Sequence, residues 1–584
     1  MSEHPPLYNE RHSAAHLLAA AALELFPGTQ LGTGPVTATG FYYDMLLPRP
    51  IVEADLGKLE TIMCRLMTEG HQFMCQPVTA QAATQFFHDQ PFKQELVDKF
   101  AQQQRALTLY KTGSFTDLCE GGHVVNTSQL DPKAFRLTKL AGAYWQADET
   151  RPQLTRIYGV LFQSEVDLKN YFEQQAQAEL RDHRKLGKEL DLFIFSELIG
   201  PGLPVYTPKG AKLRRLIQEL SREQRELIGY EEVHTPNINK AELFKISGHY
   251  DKYKNDMLAV HSNYSTEEYF LKPMNCPQHT QVFAAQLRSY KDLPLRLADF
   301  ANLYRDEKPG ELSGLTRLRA FSQDDAHCFC REDQITEEFS RVLKAIETEL
   351  TIYGMEYYVR LSIWDPAHKE KFLGDETVWD KAQTLLQGLL DDRKLNYVIG
   401  EGEAAFYGPK MDFIAKDSLG REWQISTIQI DFNMPQRFGL EYITADGSSQ
   451  TPVMIHSALV GSPERFLAIL IEHYGGNFPT WLAPVHVSLL AVSEKHNQYC
   501  LQLAEQFKVA GLRVTVNTDN ETVGNKIRKA TKDKTPYLVV IGDKEIESQQ
   551  LALRKRGSKD TTTITLADFI GYVQTKIQQR DLTV

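Results

Sequence analysis

Residues 11–26 repeat apolar positions every three to four residues, the period of an amphipathic helix. Runs such as Gly40-Phe-Tyr-Tyr-Asp44 and Phe135-Arg-Leu-Thr-Lys-Leu140 follow, rich in aromatic and branched residues, and predict strands. Residues 1–164 therefore read as an α+β domain. Residues 165–190 are polar, with neither Gly nor Pro before Gly187, which predicts a helical connector. The next stretch, 191–482, opens with a charged helical pattern over 212–227 that ends at Gly229-Tyr230, then an extended Glu231-Glu-Val-His-Thr-Pro236. Strands are predicted over 295–303, 318–322, 411–414 and 423–432. Short turns separate many of them, so the sheet is expected to be mainly antiparallel. After the linker Asn477-Phe-Pro-Thr-Trp-Leu-Ala-Pro484 the pattern changes. In residues 483–584 three apolar runs, at 485–492, 512–516 and 537–541, are separated by helix-length polar segments, predicting an α/β domain with a largely parallel sheet.

Length and composition narrow this picture. A chain of 584 residues with 42% hydrophobic and 24% charged residues has room for about three or four globular domains and is not a low-complexity or disordered chain. No run approaches the ~20 apolar residues of a membrane span. The start, Met-Ser-Glu-His-Pro-Pro, lacks the basic and apolar regions of a secretion signal. Seven cysteines without framework spacing fit a reducing compartment, and a cytoplasmic location is expected. The net charge of −11 argues against nonspecific polyanion binding. From Pro484 onward, however, 15 Lys and Arg face 11 Asp and Glu, which permits a local nucleic-acid footprint and equally suits a solvated surface.

Four groups of residues carry candidate chemistry. His12 and His16 lie four apart on the first predicted helix, and Cys119 and His123 repeat that spacing around Gly-Gly. Together they could surround a metal, activate a water or simply pack. The central segment has Lys272-Pro-Met-Asn-Cys276-Pro-Gln-His279. It also has Tyr304-Arg305-Asp306-Glu307, followed after a Pro-Gly turn by Arg317-Leu-Arg-Ala-Phe321-Ser-Gln323-Asp324-Asp325-Ala-His327. The last group is Met454-Ile-His456-Ser-Ala-Leu-Val-Gly461-Ser-Pro-Glu464-Arg465. Arginines flanking a turn suit phosphate, which a guanidinium binds through two parallel hydrogen bonds. Phe321 is either a base-stacking ring or core. Arg465 would begin a helix, a favourable place beside phosphate.

These runs resemble motifs 2 and 3 of the class II aminoacyl-tRNA synthetases, and the helix leading to Thr235-Pro236 resembles motif 1. Asn-Cys-Pro, Gln-Asp-Asp-Ala-His and Met-Ile-His, with Arg-His-Ser-x-x-His, Cys-x-Gly-x-His, Leu140-Ala-Gly-Ala-Tyr-Trp145 and Phe406-Tyr-Gly-Pro-Lys410, are similar to the threonyl-tRNA synthetases in particular. The resemblance spans essentially the whole chain. It implies an α+β editing domain over residues 1–164, a helical linker over 165–190, a class II antiparallel-sheet catalytic domain over 191–482 and an α/β anticodon-binding domain over 483–584.

By the same resemblance, Cys276, His327 and His456 hold one Zn²⁺ per subunit, which receives the amine and hydroxyl of L-threonine. Asp325 accepts the hydroxyl proton, while Gln323, Tyr407 and Gln429 hold the rest of the amino acid. ATP with Mg²⁺ lies bent on the sheet, with Arg305 on the α-phosphate, Glu307 and Phe321 on adenine, Arg317 within the same nucleotide site and Arg465 toward the γ-phosphate. Lys410 is a further cation there, and His249 lies near the acceptor end of tRNA(Thr). Serine differs from threonine by one methyl, a difference worth roughly 1–3 kcal/mol, so a second, hydrolytic site is expected. His12, His16, Cys119 and His123 line it, with water activation preferred over a bound metal. The resemblance also implies a homodimer, no membrane partner, and phosphate contacts from the C-terminal domain, with Arg554-Lys-Arg556 the most obvious cluster.

Three departures stand out. The sequence opens almost at the expected editing helix, so the small ubiquitin-like domain of most bacterial relatives is expected to be lacking. Gln278 stands where the family has Gly, and Ser457 where Arg is common. Cys328 and Cys330 are expected to pack away from the metal. The alternatives to a ligase are a non-catalytic RNA-binding paralogue regulating translation, and a zinc-dependent hydrolase of aminoacyl esters.

Overall fold

A computed structural model describes residues 6–584, so the first five residues of the start read above lie outside the described residues. Two compact units are distinguished, one running to Ala176 and the other from Gln177 to Val584.

In the first unit, α1 (Tyr8–Leu25) is sheathed in small and apolar residues, so it is buried nearly all round instead of along one stripe. It runs three residues further toward the N-terminus than the pattern predicts. β1 (Gly40–Leu46), α2 (Glu53–Thr68), β2 (Phe73–Val78), α3 (Pro91–Gln102), β3 (Leu107–Thr112), β4 (Phe115–Leu118), β5 (Phe135–Tyr144) and β6 (Gln153–Leu161) follow. β5, β6 and β1 pair antiparallel beneath α1 and α2, enclosing a core that includes Leu18, Phe41, Leu59 and Ile157. A second antiparallel sheet, β2-β3-β4, completes the α+β unit. Arg11 is buried in α1, where the carbonyls of Leu161 (3.1 Å) and Ala38 (2.7 Å) accept its guanidinium hydrogens. That neutralises the cost of burying its N–H groups and fixes the helix that carries His12 and His16.

The predicted connector is helical over Glu165–Arg181 and again over α4 (His183–Glu189), the break falling at Asp182, whose carboxylate caps the second piece. α5 (Pro208–Leu227) starts on Pro with Thr207 as its cap and stops at Gly229. The main sheet then draws on β7 (Glu231–Glu232), β8 (Leu295–Asp299), β9 (Asn302–Tyr304), β10 (Ala320–Ser322), β11 (Asp325–Cys330), β12 (Glu356–Ile363), β13 (Tyr397–Glu401), β14 (Lys410–Lys416), β15 (Glu422–Asp431) and β16 (Val453–Ala458). Eight of these form one sheet in the order β7-β8-β11-β16-β15-β14-β12-β13, antiparallel except at its two edges. The predicted single strand at 295–303 is in fact two. β8 belongs to the large sheet, while β9 turns away to form a hairpin with β10. The apolar run continues through the bend, so no Gly or Pro marks it.

Register decides which side chains meet. Leu297, His327, His456, Gln429 and Lys410 stand in one cross-strand row. Because strands alternate faces, their neighbours Cys328, Ile455, Ile430 and Met411 point the other way. They enter the core built with α5, α7 (Ile335–Ile352) and α8 (Pro463–Tyr474). Cys328 and Cys330 sit in that core, as expected.

The C-terminal segment has β17 (Val487–Ala491), α9 (Asn497–Val509), β18 (Val514–Asn517), α10 (Val523–Lys532), β19 (Tyr537–Ile541), β20 (Gln550–Lys555), β21 (Thr561–Thr565) and α11 (Leu566–Gln578). The three apolar runs form the parallel strands β18-β17-β19. β20 and β21 extend the sheet antiparallel, so only its first half is parallel. Of the expected Arg554-Lys-Arg556 cluster, Arg556 has its guanidinium engaged within the protein. It is bonded to the carbonyls of Lys534 (2.7 Å) and Phe478 (2.8 Å), where it pins the interdomain linker.

Candidate functional site

In the first unit, one ligand atom from each of His12, His16, Cys119 and His123 lies within 4.8 Å of the others. The helical spacing brings His12 and His16 to one face. The turn after β4, through Gly121 (φ +109°) and Gly122 (φ +83°), brings Cys119 and His123 back to them. Cys119 Sγ is 3.2 Å from His123 Nε2 and 3.6 Å from His12 Nε2. The His123 ring stacks on Phe73 at 4.5 Å, and Ser13 Oγ approaches its Nδ1 at 3.3 Å. Burial, reinforced by the neighbouring imidazoles, lowers His123 to about 2 and holds His16 well below the usual histidine range. Burial raises the Cys119 thiol to about 11. His16 and His123 are thus neutral imidazoles and Cys119 a protonated thiol, groups that orient a water or an ester rather than act as charges.

Sequence reasoning missed the support beneath this pocket. Lys93 of α3 is buried, its ammonium 2.5 Å from Asp117 Oδ1 and 3.0 Å from the Tyr43 hydroxyl, which donates to Asp117 Oδ2 at 2.5 Å. The three residues are far apart in the chain, and nothing in their local spacing marks them.

The second unit holds adjoining cavities on the open face of the large sheet. One, of about 370 Å³, is lined by Cys276, Arg305, Gln323, Asp325, His327, Tyr407, Lys410, Gln429 and His456, among others. The other, of about 480 Å³, is lined by Arg305, Glu307, Arg317, Phe321, Gln323 and Arg465, with Gly461 and Ser462 at the start of α8. Arg305, Gln323, Gln424 and Thr427 border both.

Cys276 opens α6 (Cys276–Ala284), and its sulfur lies within 4.8 Å of ligand nitrogens of His327 and His456. His327 Nε2 and His456 Nδ1 face each other at 3.1 Å. Two imidazoles on one tetrahedral zinc, at Zn–N of about 2.0–2.1 Å, put their nitrogens ~3.3 Å apart. Their outer nitrogens are engaged: His456 Nε2 with Asp431 Oδ2 at 3.1 Å, and His327 Nδ1 with His279 Nδ1 at 2.7 Å. Outer partners of this kind set tautomer and ring orientation in metal sites. Burial pushes the Cys276 thiol well above its usual range, so a thiolate there needs a cation beside it. The donor set, one thiol and two imidazoles that all line the cavity, fits zinc.

Around it, the Tyr407 ring stacks on His456 at 4.6 Å and its hydroxyl donates to Gln429 Oε1 at 2.5 Å. Burial raises the Asp325 carboxyl to about 6. Lys410 Nζ is 2.7 Å from Asp412, a buried carboxylate that also accepts from Ser362 (2.8 Å) and Gln424 (2.8 Å). Gln424 and Thr427, three apart, reach the same face because β15 carries a bulge opposite Phe413 and Ile414, which simple alternation does not foresee. In the second cavity Arg305 lies 5.2 Å from the Phe321 ring centroid. Burial depresses both Arg305 and Arg465, and among the described residues neither guanidinium has an ion pair. Arg317 is different. It is exposed and bonded to Glu307 (2.8 Å) and Glu311 (2.5 Å) across the loop between β9 and β10. His249 lies outside the first cavity, fully buried, with Nε2 3.7 Å from Cys276 Sγ, and borders a third opening shared with Arg305 and Arg317.

The departures are accommodated. Gln278 donates to the Pro236 carbonyl at 3.1 Å. Ser457 points into the core, where Arg225 of α5 donates to its hydroxyl (2.8 Å) and carbonyl (2.9 Å).

The family profile described as "tRNA synthetase class II core domain (G, H, P, S and T)" matches residues 257–474. "Anticodon binding domain" matches 486–576, and "Threonyl and Alanyl tRNA synthetase second additional domain" matches 107–158. The threonine–tRNA ligase of Gloeobacter violaceus is 43% identical, covering 99% of this chain and 94% of its own. That of Synechococcus elongatus is 42% identical, covering 99% and 97%. Among solved structures, the RNA binding domain of threonyl-tRNA synthetase from Cryptosporidium parvum Iowa II superposes with a TM-score of 0.65 at 37% identity, over 68% of this chain and 98% of that one. A prolyl-tRNA synthetase from Giardia lamblia in complex with prolyl-adenylate, at 16% identity and a TM-score of 0.52 over 70% of this chain and 81% of its own, shares the fold.

Proposed function

The chain belongs to the threonyl-tRNA synthetase family of class II synthetases, and from that premise we infer that it joins L-threonine to tRNA(Thr) with ATP and hydrolyses Ser-tRNA(Thr). The observation that carries the chemistry is the meeting of Cys276, His327 and His456 in a cavity open to one that holds Arg305 and Arg465, neither ion-paired among the described residues.

Zinc held by those three side chains would supply Lewis-acid coordination to an amine and a hydroxyl. A site that binds the hydroxyl can reject valine by about 10⁴–10⁵, where an apolar pocket reaches only about a hundredfold. Asp325 accepts the threonine hydroxyl, and Gln323, Tyr407 and Gln429 orient the amine and backbone. ATP enters the second cavity, and Mg²⁺ bound with it would offset its negative charge. Its adenine stacks on Phe321 near Glu307, Arg317 closes the nucleotide site, and Arg465 meets the γ-phosphate. A threonine carboxylate oxygen attacks the α-phosphorus, and the bond to pyrophosphate breaks. Arg305 and Lys410 neutralise charge on the phosphoryl oxygens, so alignment and electrostatics do the work. The terminal ribose hydroxyl of tRNA then attacks the adenylate carbonyl and AMP leaves, with His249 beside that step.

Serine retains both groups that the synthetic site tests, so a hydrolytic check is required. His12, His16, Cys119 and His123 hold the seryl ester and a water without a metal. The division at residues 164, 190 and 482, the homodimer and the cytoplasmic location belong to the same reading. No helix among the described residues is long and apolar enough to cross a membrane. Threonine-dependent ATP–pyrophosphate exchange tests the synthetic activity. It is expected in the native protein, and its absence would refute the assignment.

A further inference from the structure

His183 begins α4, where Asp182 caps the helix by accepting from Arg184 N at 2.7 Å. Its imidazole is buried, and both nitrogens are engaged. Leu315 N–H donates to Nε2 at 3.0 Å, so Nε2 carries a lone pair and the hydrogen sits on Nδ1. Nδ1–H then donates to Glu472 Oε1 at 2.6 Å, which also accepts the His183 backbone N–H at 3.0 Å. Asp182, His183 and Glu472 are close enough to suggest a metal group. With both ring nitrogens bonded within the protein, the imidazole has no lone pair to give one.

The two partners belong to two walls of one cavity. Glu472 lies near the end of α8, the helix whose first turn presents Arg465, and is paired with Arg421 at 2.6 Å. Leu315 belongs to the turn after Ser313, whose residues 315–318 line the cavity opposite. That turn is drawn hard onto the ring: Gly314 has φ +49°, and a Cβ there would stand 2.1 Å from His183 Nε2. Only glycine allows the approach.

We propose that His183 is a positioning residue for ATP: its neutral imidazole bolts the 313–317 turn to helix α8 and so sets the width of the nucleotide cavity. This rests on the reading that the cavity binds ATP. The side chain touches no substrate and acts through the Leu315 amide.

Two conservative substitutions separate the bonds. In H183N the amide nitrogen stands near Nδ1, keeping the donor to Glu472 and losing the acceptor for Leu315. In H183Q the amide oxygen reaches the Nε2 position, keeping the acceptor and losing the donor. Exchange rates measured against ATP and against threonine should show KM for ATP about three- to tenfold higher in H183N, as the loss of one neutral hydrogen bond allows, with KM for threonine and kcat near native values. H183Q should restore KM for ATP. Gly314→Ala, which pushes the turn off the ring from the other side and leaves His183 intact, should reproduce the H183N effect even if the His183 variants fold poorly. A native KM for ATP in G314A together with either a native value or an equal rise for threonine in H183N would overturn the proposal. Native protein without exchange would instead overturn the ATP reading, and this inference with it.

Discussion

Replacing Arg225 by Met should loosen the whole catalytic sheet, and its cost follows from three contacts. The guanidinium is buried, with Nε 3.1 Å from Asp324 Oδ1 and the other nitrogens donating to Ser457 at 2.8 and 2.9 Å. It also lies 5.1 Å from the Tyr230 ring centroid. Removing one partner of a buried pair costs about 3–5 kcal/mol, because the other charge stays buried. Asp324 would retain Ser221 Oγ at 2.8 Å and the amides of Leu459 (2.7 Å) and Val460 (3.1 Å), so the loss should fall at the lower end, ~3 kcal/mol. For a unit running from Gln177 to Val584, at about 2.1 cal/mol/K of unfolding entropy per residue, that is a fall in Tm of roughly 3–4 °C, readable by scanning calorimetry. Arg225→Lys keeps the charge but not the fork and should fall between the two. Asp324 precedes Asp325 and Ser457 follows His456, so activity should drop along with stability. An R225M melting within a degree or two of native would refute the idea that this arginine locks the two strands.

Asp431→Asn removes the negative partner of His456 and should weaken zinc about 10–100-fold in chelator competition; an unchanged affinity would remove Asp431 from the site. His12→Ala should let Ser-tRNA(Thr) accumulate in a deacylation assay while threonine-dependent exchange stays native, and undiminished hydrolysis would exclude that histidine. The first unit should lose stability as pH falls below about 6.5. His123, lowered to about 2 in the fold, stays neutral there while the unfolded chain takes up its proton, so unfolding is favoured progressively down to that value. Melting followed from pH 7 to pH 5 should drop, less steeply in His123→Asn; parallel pH profiles would contradict this.

The fold was legible where chemistry and periodicity coincide. His12 and His16 share a helix face because four residues make about one turn, and the three apolar C-terminal runs became parallel strands as their spacing implied. Long-range convergence was not legible from periodicity. His327 and His456 face each other through strand register, set by pairing between segments 129 residues apart, and only resemblance to a known family brought them together beforehand. Asp412 and the Lys93–Asp117–Tyr43 cluster were missed for a related reason. Single polar residues within buried strands and helices leave no local pattern, and their function lies in what they hold. Within the Arg554-Lys-Arg556 run, charge in sequence said nothing of burial at Arg556, whose guanidinium is spent on backbone carbonyls.

The most direct test of the threonine site is zinc content measured together with exchange. The native chain is expected to carry one zinc, to lose both metal and threonine-dependent exchange on chelation, and to exchange threonine at least about 10⁴-fold more efficiently than valine. Cys276→Ser should come off the column with little or no zinc and little exchange. A native protein free of zinc yet fully active, or a C276S with undiminished exchange, would contradict the role assigned to Cys276, His327 and His456.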